Sequence, residues 1–132
     1  MSAKNAPANC RYTKQHEWVR LEGDSAILGI TDFAQEQLTD IVFVELPDVG
    51  KKLNVGDVAT VLESVKSVAD VYSPLAGEVQ EVNATLEQSP EHINQDAYGK
   101  GWLIKLKVID KLALDALMDA AAYQAYLDAE AH

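Results

Sequence analysis

A single cysteine stands in this 132-residue chain, and lysine and arginine together number 11 against 21 aspartates and glutamates. One cysteine, Cys10, rules out an intrachain disulfide and any Cys-x-x-Cys site. The three histidines, His16, His92 and His132, lie far apart in sequence and lack metal-ligand spacing, so no metal centre is expected. No Gly-rich phosphate loop and no Ser-His-Asp string of recognisable spacing is present, so the chain does not read as an enzyme. No apolar run approaches the length of a membrane span. The formal net charge of -10 repels nucleic acid and anionic lipid, and it suits partners with basic docking surfaces; its plainest use is solubility. Met1 to Asn9 holds one Lys, no Arg and no apolar core. The expectation is therefore a bacterial cytoplasmic protein without a signal or transit peptide, or a mitochondrial-matrix protein if the chain is a processed eukaryotic form.

What is present suits one globular domain with a real core: 48% of residues are hydrophobic and 24% charged. Residues 1–10 are small and polar and are expected to form a loose tail, with 11–132 as a single domain. Glu17 to Leu21 and Ala26 to Ile30 read as strands joined by a turn at Glu22-Gly23-Asp24-Ser25. Thr31-Asp32 offers an N-cap to a short helix over Phe33 to Leu38, with Asp32 and Gln35 at capping-box spacing. Ile41 to Leu46 reads as a buried strand closed by Pro47-Asp48-Val49-Gly50. Leu75 to Val82 is a further strand with Gly77 inside it. Ser89-Pro90-Glu91 predicts the start of a short helix. Trp102 to Val108 alternates, with Trp102, Ile104, Leu106 and Val108 on one face. The end is helical, with Leu114, Leu117, Met118, Ala121, Ala122 and Ala125 at helical spacing and Asp119 starting a second segment. Many short strands with Gly and Pro turns predict a mainly β protein, a sandwich or flattened barrel with short helices and a C-terminal helical segment.

The central stretch is nearly symmetric. Gly56-Asp57 introduces Val58 to Leu62, Glu63 to Ser67 makes a tip, and Val68 to Tyr72 leads into Ser73-Pro74 and Gly77-Glu78-Val79. Lys66 is the only lysine between Lys52 and Lys100, and its neighbours Ser64, Val65 and Ser67 are small. A lysine at a hairpin tip is ordinarily a solvated charge that discourages edge pairing. A rigid tip with clear access also makes it a point where a modifying enzyme can attach a prosthetic group. A nucleophilic lysine would need a desolvated pocket, whereas a tip is wet. His16 is expected to cap or pack near Trp18, and Trp18 and Trp102 to be core or rim aromatics.

From about Tyr12 to Leu127 the chain resembles the H protein family of the glycine cleavage system. The resemblance rests on Tyr12-Thr13-Lys14-Gln15-His16-Glu17-Trp18-Val19, Gly29-Ile30-Thr31-Asp32-Phe33-Ala34-Gln35, Val42-Phe43-Val44-Glu45-Leu46-Pro47, Glu63-Ser64-Val65-Lys66, Ser73-Pro74, Gly77-Glu78-Val79, and Tyr98-Gly99 with Gly101-Trp102-Leu103. It implies a hammerhead β-sandwich of lipoyl/biotinyl type and a carrier subunit rather than a catalyst, expected as a monomer. Lys66 would hold lipoate in amide linkage, attached by a lipoate transferase or ligase, with Glu63, Ser64, Val65 and Ser67 making up the cofactor site around it. The arm would take the aminomethyl group of glycine from a pyridoxal-phosphate decarboxylase to a tetrahydrofolate-dependent aminomethyltransferase, and dihydrolipoamide dehydrogenase would reoxidise it. An aminomethyl thioether decomposes in water, so the arm needs a cleft that excludes solvent and offers acceptors to an ammonium. By the same resemblance Glu17 and Asp70 match acidic positions lining such a cleft. Gln37 falls where some members have His, and Ala97 where the family often has Pro.

Related carriers remain as alternatives. Biotinyl sites usually place Met on both sides of the lysine, where this chain has Val65 and Ser67. Lipoyl domains of 2-oxo-acid dehydrogenases are usually shorter and lack the Tyr12-to-Val19 string and the C-terminal helices. A lipoyl-relay or lipoyl-like protein serving another complex keeps the same residues.

Overall fold

A computed structural model describes residues 6–108 and 111–130. Among these residues nine strands form two sheets. β1 (Arg11–Tyr12), β2 (Glu17–Glu22), β3 (Ser25–Ile30), β5 (Lys52–Leu53), β8 (Gly77–Val82) and β9 (Ile104–Val108) make a six-stranded sheet in the order β1-β2-β3-β9-β8-β5. β4 (Ile41–Glu45), β6 (Val58–Ser64) and β7 (Val68–Tyr72) make a three-stranded sheet in the order β4-β6-β7. The two sheets are not closed into one barrel, and short helices accompany them: α1 (Asp32–Leu38), α2 (His92–Gln95) and the C-terminal α3 (Ala120–Glu130). The mainly β architecture expected from the alternating strands is the one found.

Around β2 and β3 the larger sheet buries both faces, and the alternation along these strands decides what each face meets, whereas β8 and β9 turn one face to solvent. Val19, Ala26, Leu28 and Ile30 point into the main core, with Leu62 and Val71 of the smaller sheet and Ile104 and Leu106 of β9. Trp18 and Ile27 point the other way, into a second cluster with Cys10, Tyr12 and, from α3, Tyr123 and Leu127. Trp18 and Gly29 are cross-strand partners. A Cβ on Gly29 would stand 2.5 Å from Trp18 Cε2, so the missing side chain is what lets the indole lie flat on β3. Trp18 Nε1 donates to the Ala97 carbonyl at 3.0 Å, which satisfies the buried indole N–H and pins the loop before β9. Gly77 marks a close backbone approach, since a Cβ there would lie 2.5 Å from the Lys107 carbonyl oxygen.

Several expectations are corrected. Cys10 does not sit in a loose tail; it is 2% exposed beneath α3. The strand at Ile41 is not buried along its length: only Ile41 and Val44 are, while a register shift between Ile41 and Phe43 leaves Val42 53% and Phe43 51% exposed. Trp102 does not join the face of Ile104, Leu106 and Val108; it packs with the second cluster. The N-cap of α1 is Thr31, whose Oγ1 accepts from Ala34 N–H, and Gln35 bonds the Asp32 carboxylate rather than a backbone N–H. Ala121, Ala122 and Ala125 are exposed on α3, and the buried face is carried by Tyr123 and Leu127. The Asp119 start holds: its carboxylate accepts from Ala122 N–H at 2.8 Å. A 3₁₀ turn at Ala84–Glu87 and the short strand β5 fill stretches with no sequence pattern.

Candidate functional site

Lys66 lies at the turn between β6 and β7, and Ser64 builds that turn. Ser64 N–H donates to the Ser67 carbonyl at 2.8 Å. The Ser64 hydroxyl oxygen accepts from Lys66 N–H at 3.2 Å and Ser67 N–H at 3.0 Å, and its own proton goes to the Ser67 carbonyl. Val65 N–H donates to the Asp40 carbonyl at 3.0 Å. All four backbone donors from Ser64 to Ser67 are thereby satisfied, and the tip is fixed by its own hydrogen bonds. Val65 is 68% exposed, and Lys66 projects from an open surface. Lys66 Nζ reaches 3.3 Å from the Gln37 carbonyl, in the last turn of α1. Such carbonyls have no partner within the helix and carry its negative end, so an amine is well received there.

Beyond this contact the structure opens a cleft of about 190 Å³ between α1 and β7. Its walls bring together all three acceptor positions expected from the sequence: Glu17, Gln37 and Asp70. Asp70 and Gln37 are exposed, and the Asp70 carboxylate makes no hydrogen bond or ion pair among the described residues. Glu17 is different: it is 3% exposed. Its Oε1 accepts the Thr13 hydroxyl at 2.9 Å and its Oε2 accepts Tyr72 N–H at 2.8 Å. Burial pushes its carboxyl above the ordinary range, and these two donors partly offset the rise. Glu17 also borders a larger cavity of about 620 Å³ on its other side, walled by Tyr12, Tyr72, Leu117 and Met118. Asp70 is thus the solvated charge of the cleft and Glu17 a dry carboxylate tying β2 to β7.

The helical wall is set by Asn94 of α2. Its amide donates to the Gln35 side chain at 2.9 Å and the Thr39 carbonyl at 2.8 Å, and its oxygen accepts Ile41 N–H at 2.9 Å. One side chain thus joins the end of α1 to the start of β4, which explains why a loop without strand pattern matters to the cleft.

Sequence reading missed two contributors. Gln15 and His16 also line the cleft. His16 does not pack on Trp18; its ring lies 4.6 Å from Phe33 and its Nδ1 2.8 Å from the Tyr123 hydroxyl. Burial lowers its pKa, against a smaller opposing pull from Glu130. The available signal was the spacing of Tyr123, Tyr126 and Leu127, the large residues in an alanine-rich helix. Among the described residues no group of His, Cys, Asp or Glu is arranged to hold a metal ion, and no helix is long and apolar enough to cross a membrane.

A sequence profile described as glycine cleavage H-protein matches residues 10–130. A glycine cleavage system H protein of Symbiobacterium thermophilum is 56% identical over 122 residues, covering 92% of this chain and 95% of that protein. One from Bacteroides thetaiotaomicron is 52% identical over 124 residues, covering 94% and 98%. The crystal structure of a glycine cleavage system H protein from Mycobacterium marinum superposes with a TM-score of 0.82 at 34% identity, covering 96% of this chain and 99% of that one.

Proposed function

The chain belongs to the glycine cleavage H-protein family, whose members are carrier subunits and not catalysts, and on that premise we propose that Lys66 is where it holds lipoate. The observation that carries this reading is the position of Lys66 on a self-bonded tip, its Nζ against the carbonyl of Gln37, a residue that lines a cleft together with Glu17 and Asp70. The residues present fit the group. An exposed amine can be acylated, and the cleft beside it has an apolar floor of Ile30, Leu62 and Val71 for a hydrocarbon arm. When attached, lipoate supplies a dithiolane that accepts and releases the aminomethyl group of glycine.

The chain's own work is to position and protect that cargo. Ser64 holds the backbone on which the amine is presented. The floor excludes water, which would hydrolyse an aminomethyl thioether to thiol, formaldehyde and ammonium. Asp70 offers a charged acceptor to the cargo's ammonium, and Gln37 a neutral one on the opposite wall. Glu17 keeps β2 against β7, so the far end of the cleft stays closed.

The partners follow from this role: a lipoate transferase or ligase, a pyridoxal-phosphate glycine decarboxylase, a tetrahydrofolate-dependent aminomethyltransferase and dihydrolipoamide dehydrogenase, in the compartment that holds them. Intact mass spectrometry of protein made in a lipoate-competent host tests the reading. A lipoyl increment absent from Lys66→Ala is expected. A biotin increment, or an unmodified Lys66 despite ligase and lipoate, overturns it.

A further inference from the structure

The hydroxyl of Tyr123 lies outside the cleft yet touches the supports of two of its walls. It sits 2.8 Å from His16 Nδ1 and 2.7 Å from Thr31 Oγ1. His16 is itself a wall residue and the neighbour of two others, Gln15 and Glu17. Thr31 is the N-cap of α1, the helix that contributes Ala34, Gln37 and Leu38. The Tyr123 ring is fully buried and stacks on Tyr12 at 4.8 Å, so the hydroxyl has one place to be. His16 holds a left-handed backbone with φ of 68°, a conformation a non-glycine residue keeps only when its surroundings impose it.

We propose that Tyr123 is a positioning residue for the arm cleft: its hydroxyl bridges the His16 loop and the N-cap of α1, and so fixes the separation of the walls contributed by β2 and α1. The inference rests on the carrier reading for its purpose, although the bridge itself does not. The backbone bond from Thr31 N–H to the His16 carbonyl, 2.9 Å, joins the same two segments through the main chain, while Thr31 Oγ1 is also held by Ala34 N–H and the His16 ring by Phe33. Tyr123 adds a side-chain link between them. Without its hydroxyl, the Thr31 hydroxyl and the His16 ring lose their shared buried partner, and the left-handed turn is left to its backbone bonds, His16 N–H to the Thr13 carbonyl and Thr31 N–H to the His16 carbonyl. The C-terminal helix thereby acquires a role in holding cargo that its distance in sequence from Lys66 conceals.

Tyr123→Phe keeps the ring stack and deletes the bridge. Amide hydrogen exchange on the unmodified protein is expected to quicken by about fivefold or more over residues 13–17 and 31–38, and to stay unchanged over the hairpin 58–72. On lipoylated protein, loading with the aminomethyl group is expected to proceed as in the parent, while formaldehyde release by hydrolysis speeds up by a similar factor, about fivefold. Thr31→Ser, which keeps the hydroxyl, is expected to behave as the parent in both measurements, and Thr31→Val, which removes the N-cap acceptor as well as the bridge, to quicken exchange over 31–38 beyond Tyr123→Phe. Unchanged exchange over 13–17 and 31–38, or a quickening that spreads equally into the hairpin, overturns the positioning role whatever Lys66 carries. Parent-like cargo lifetime in loaded Tyr123→Phe overturns its purpose. Failure of the parent itself to accept lipoate counts against the carrier reading alone, because the exchange result stands apart from it.

Discussion

Glu17 Oε2 accepts the backbone N–H of Tyr72 at 2.8 Å, so a carboxylate at the start of β2 closes a hydrogen bond at the end of β7. The two residues belong to different sheets. The bond requires an oxygen at that point but not a charge. Burial raises the folded-state pKa of Glu17, and the direction of that shift fixes the sign of its effect on stability. Folded protein binds more protons than unfolded protein between the ordinary glutamate value, about 4.3, and the raised folded value. Stability from this group is therefore full below the lower value and falls as pH rises through the upper one. In Glu17→Gln the amide oxygen can face Tyr72 N–H and the amide nitrogen Thr13 Oγ1. Denaturant unfolding across a pH series is expected to show that decline in the parent and a flatter profile in Glu17→Gln. A steeper decline in the variant would contradict the assignment.

Gly29 gives a sharper structural test. Its Cα faces the indole of Trp18 with no room for a methyl group, and Trp18 is fully buried. Gly29→Ala is expected to cost about 2–3 kcal/mol by overpacking, read as a lowered denaturation midpoint and a change in Trp18 fluorescence.

Ser64 organises the tip through its side-chain oxygen. Ser64→Ala leaves Lys66 N–H and Ser67 N–H without their acceptor but exposed to water, so global stability should fall by no more than about 1 kcal/mol. Exchange of those two amides is expected to quicken, and lipoylation by a ligase to slow, measured as the rate of appearance of the modified mass. Equal modification rates in parent and variant would show that tip order is irrelevant to the ligase.

Asp70 and Glu17 are separated by the same kind of experiment. Asp70→Asn removes the solvated charge while keeping shape, and its exposed side chain carries little of the fold. Stability within about 0.5 kcal/mol of the parent is expected. Formaldehyde release from the loaded carrier should rise, because an amide oxygen holds an ammonium less firmly than a carboxylate.

The outer face of the small sheet can be checked against its buried face. Phe43→Ser is expected to leave stability within about 0.5 kcal/mol, whereas Val44→Ala, one residue on and buried, should cost about 2 kcal/mol. Guanidinium titrations of both variants decide it.

The sequence was most readable where structure is local. The hairpin around Lys66 shows in the two short runs Val58 to Leu62 and Val68 to Tyr72, bounded by Gly56-Asp57 and Ser73-Pro74, and β6 and β7 pair across it with a register shift between Val58 and Thr60. The turn at Gly23 and the Asp119 start of α3 were readable for the same reason. Features created by distant segments were not. Cys10 looks like tail because its cover, Tyr123 and Leu127, lies over a hundred residues away. Ile41 to Leu46 looks buried because a run of apolar residues cannot reveal the register shift that turns Val42 and Phe43 outward. Glu17 and Asp70 could be named by resemblance to a family, but nothing in either residue's neighbours says that one is dry and bonded and the other wet. That difference arises only when Tyr72 brings its N–H to the start of β2.

The closed hydrogen bonding of the tip has a consequence for traffic. A loop with spare amide donors is sticky, because any extended segment can add to it as a strand. From Ser64 to Ser67 no backbone donor is spare, so the turn offers no N–H to an incoming strand. Whatever visits Lys66 must grip side chains and shape, contacts that break as readily as they form. A chain that hands one cargo along a series of stations is served by a tip that none of them can keep.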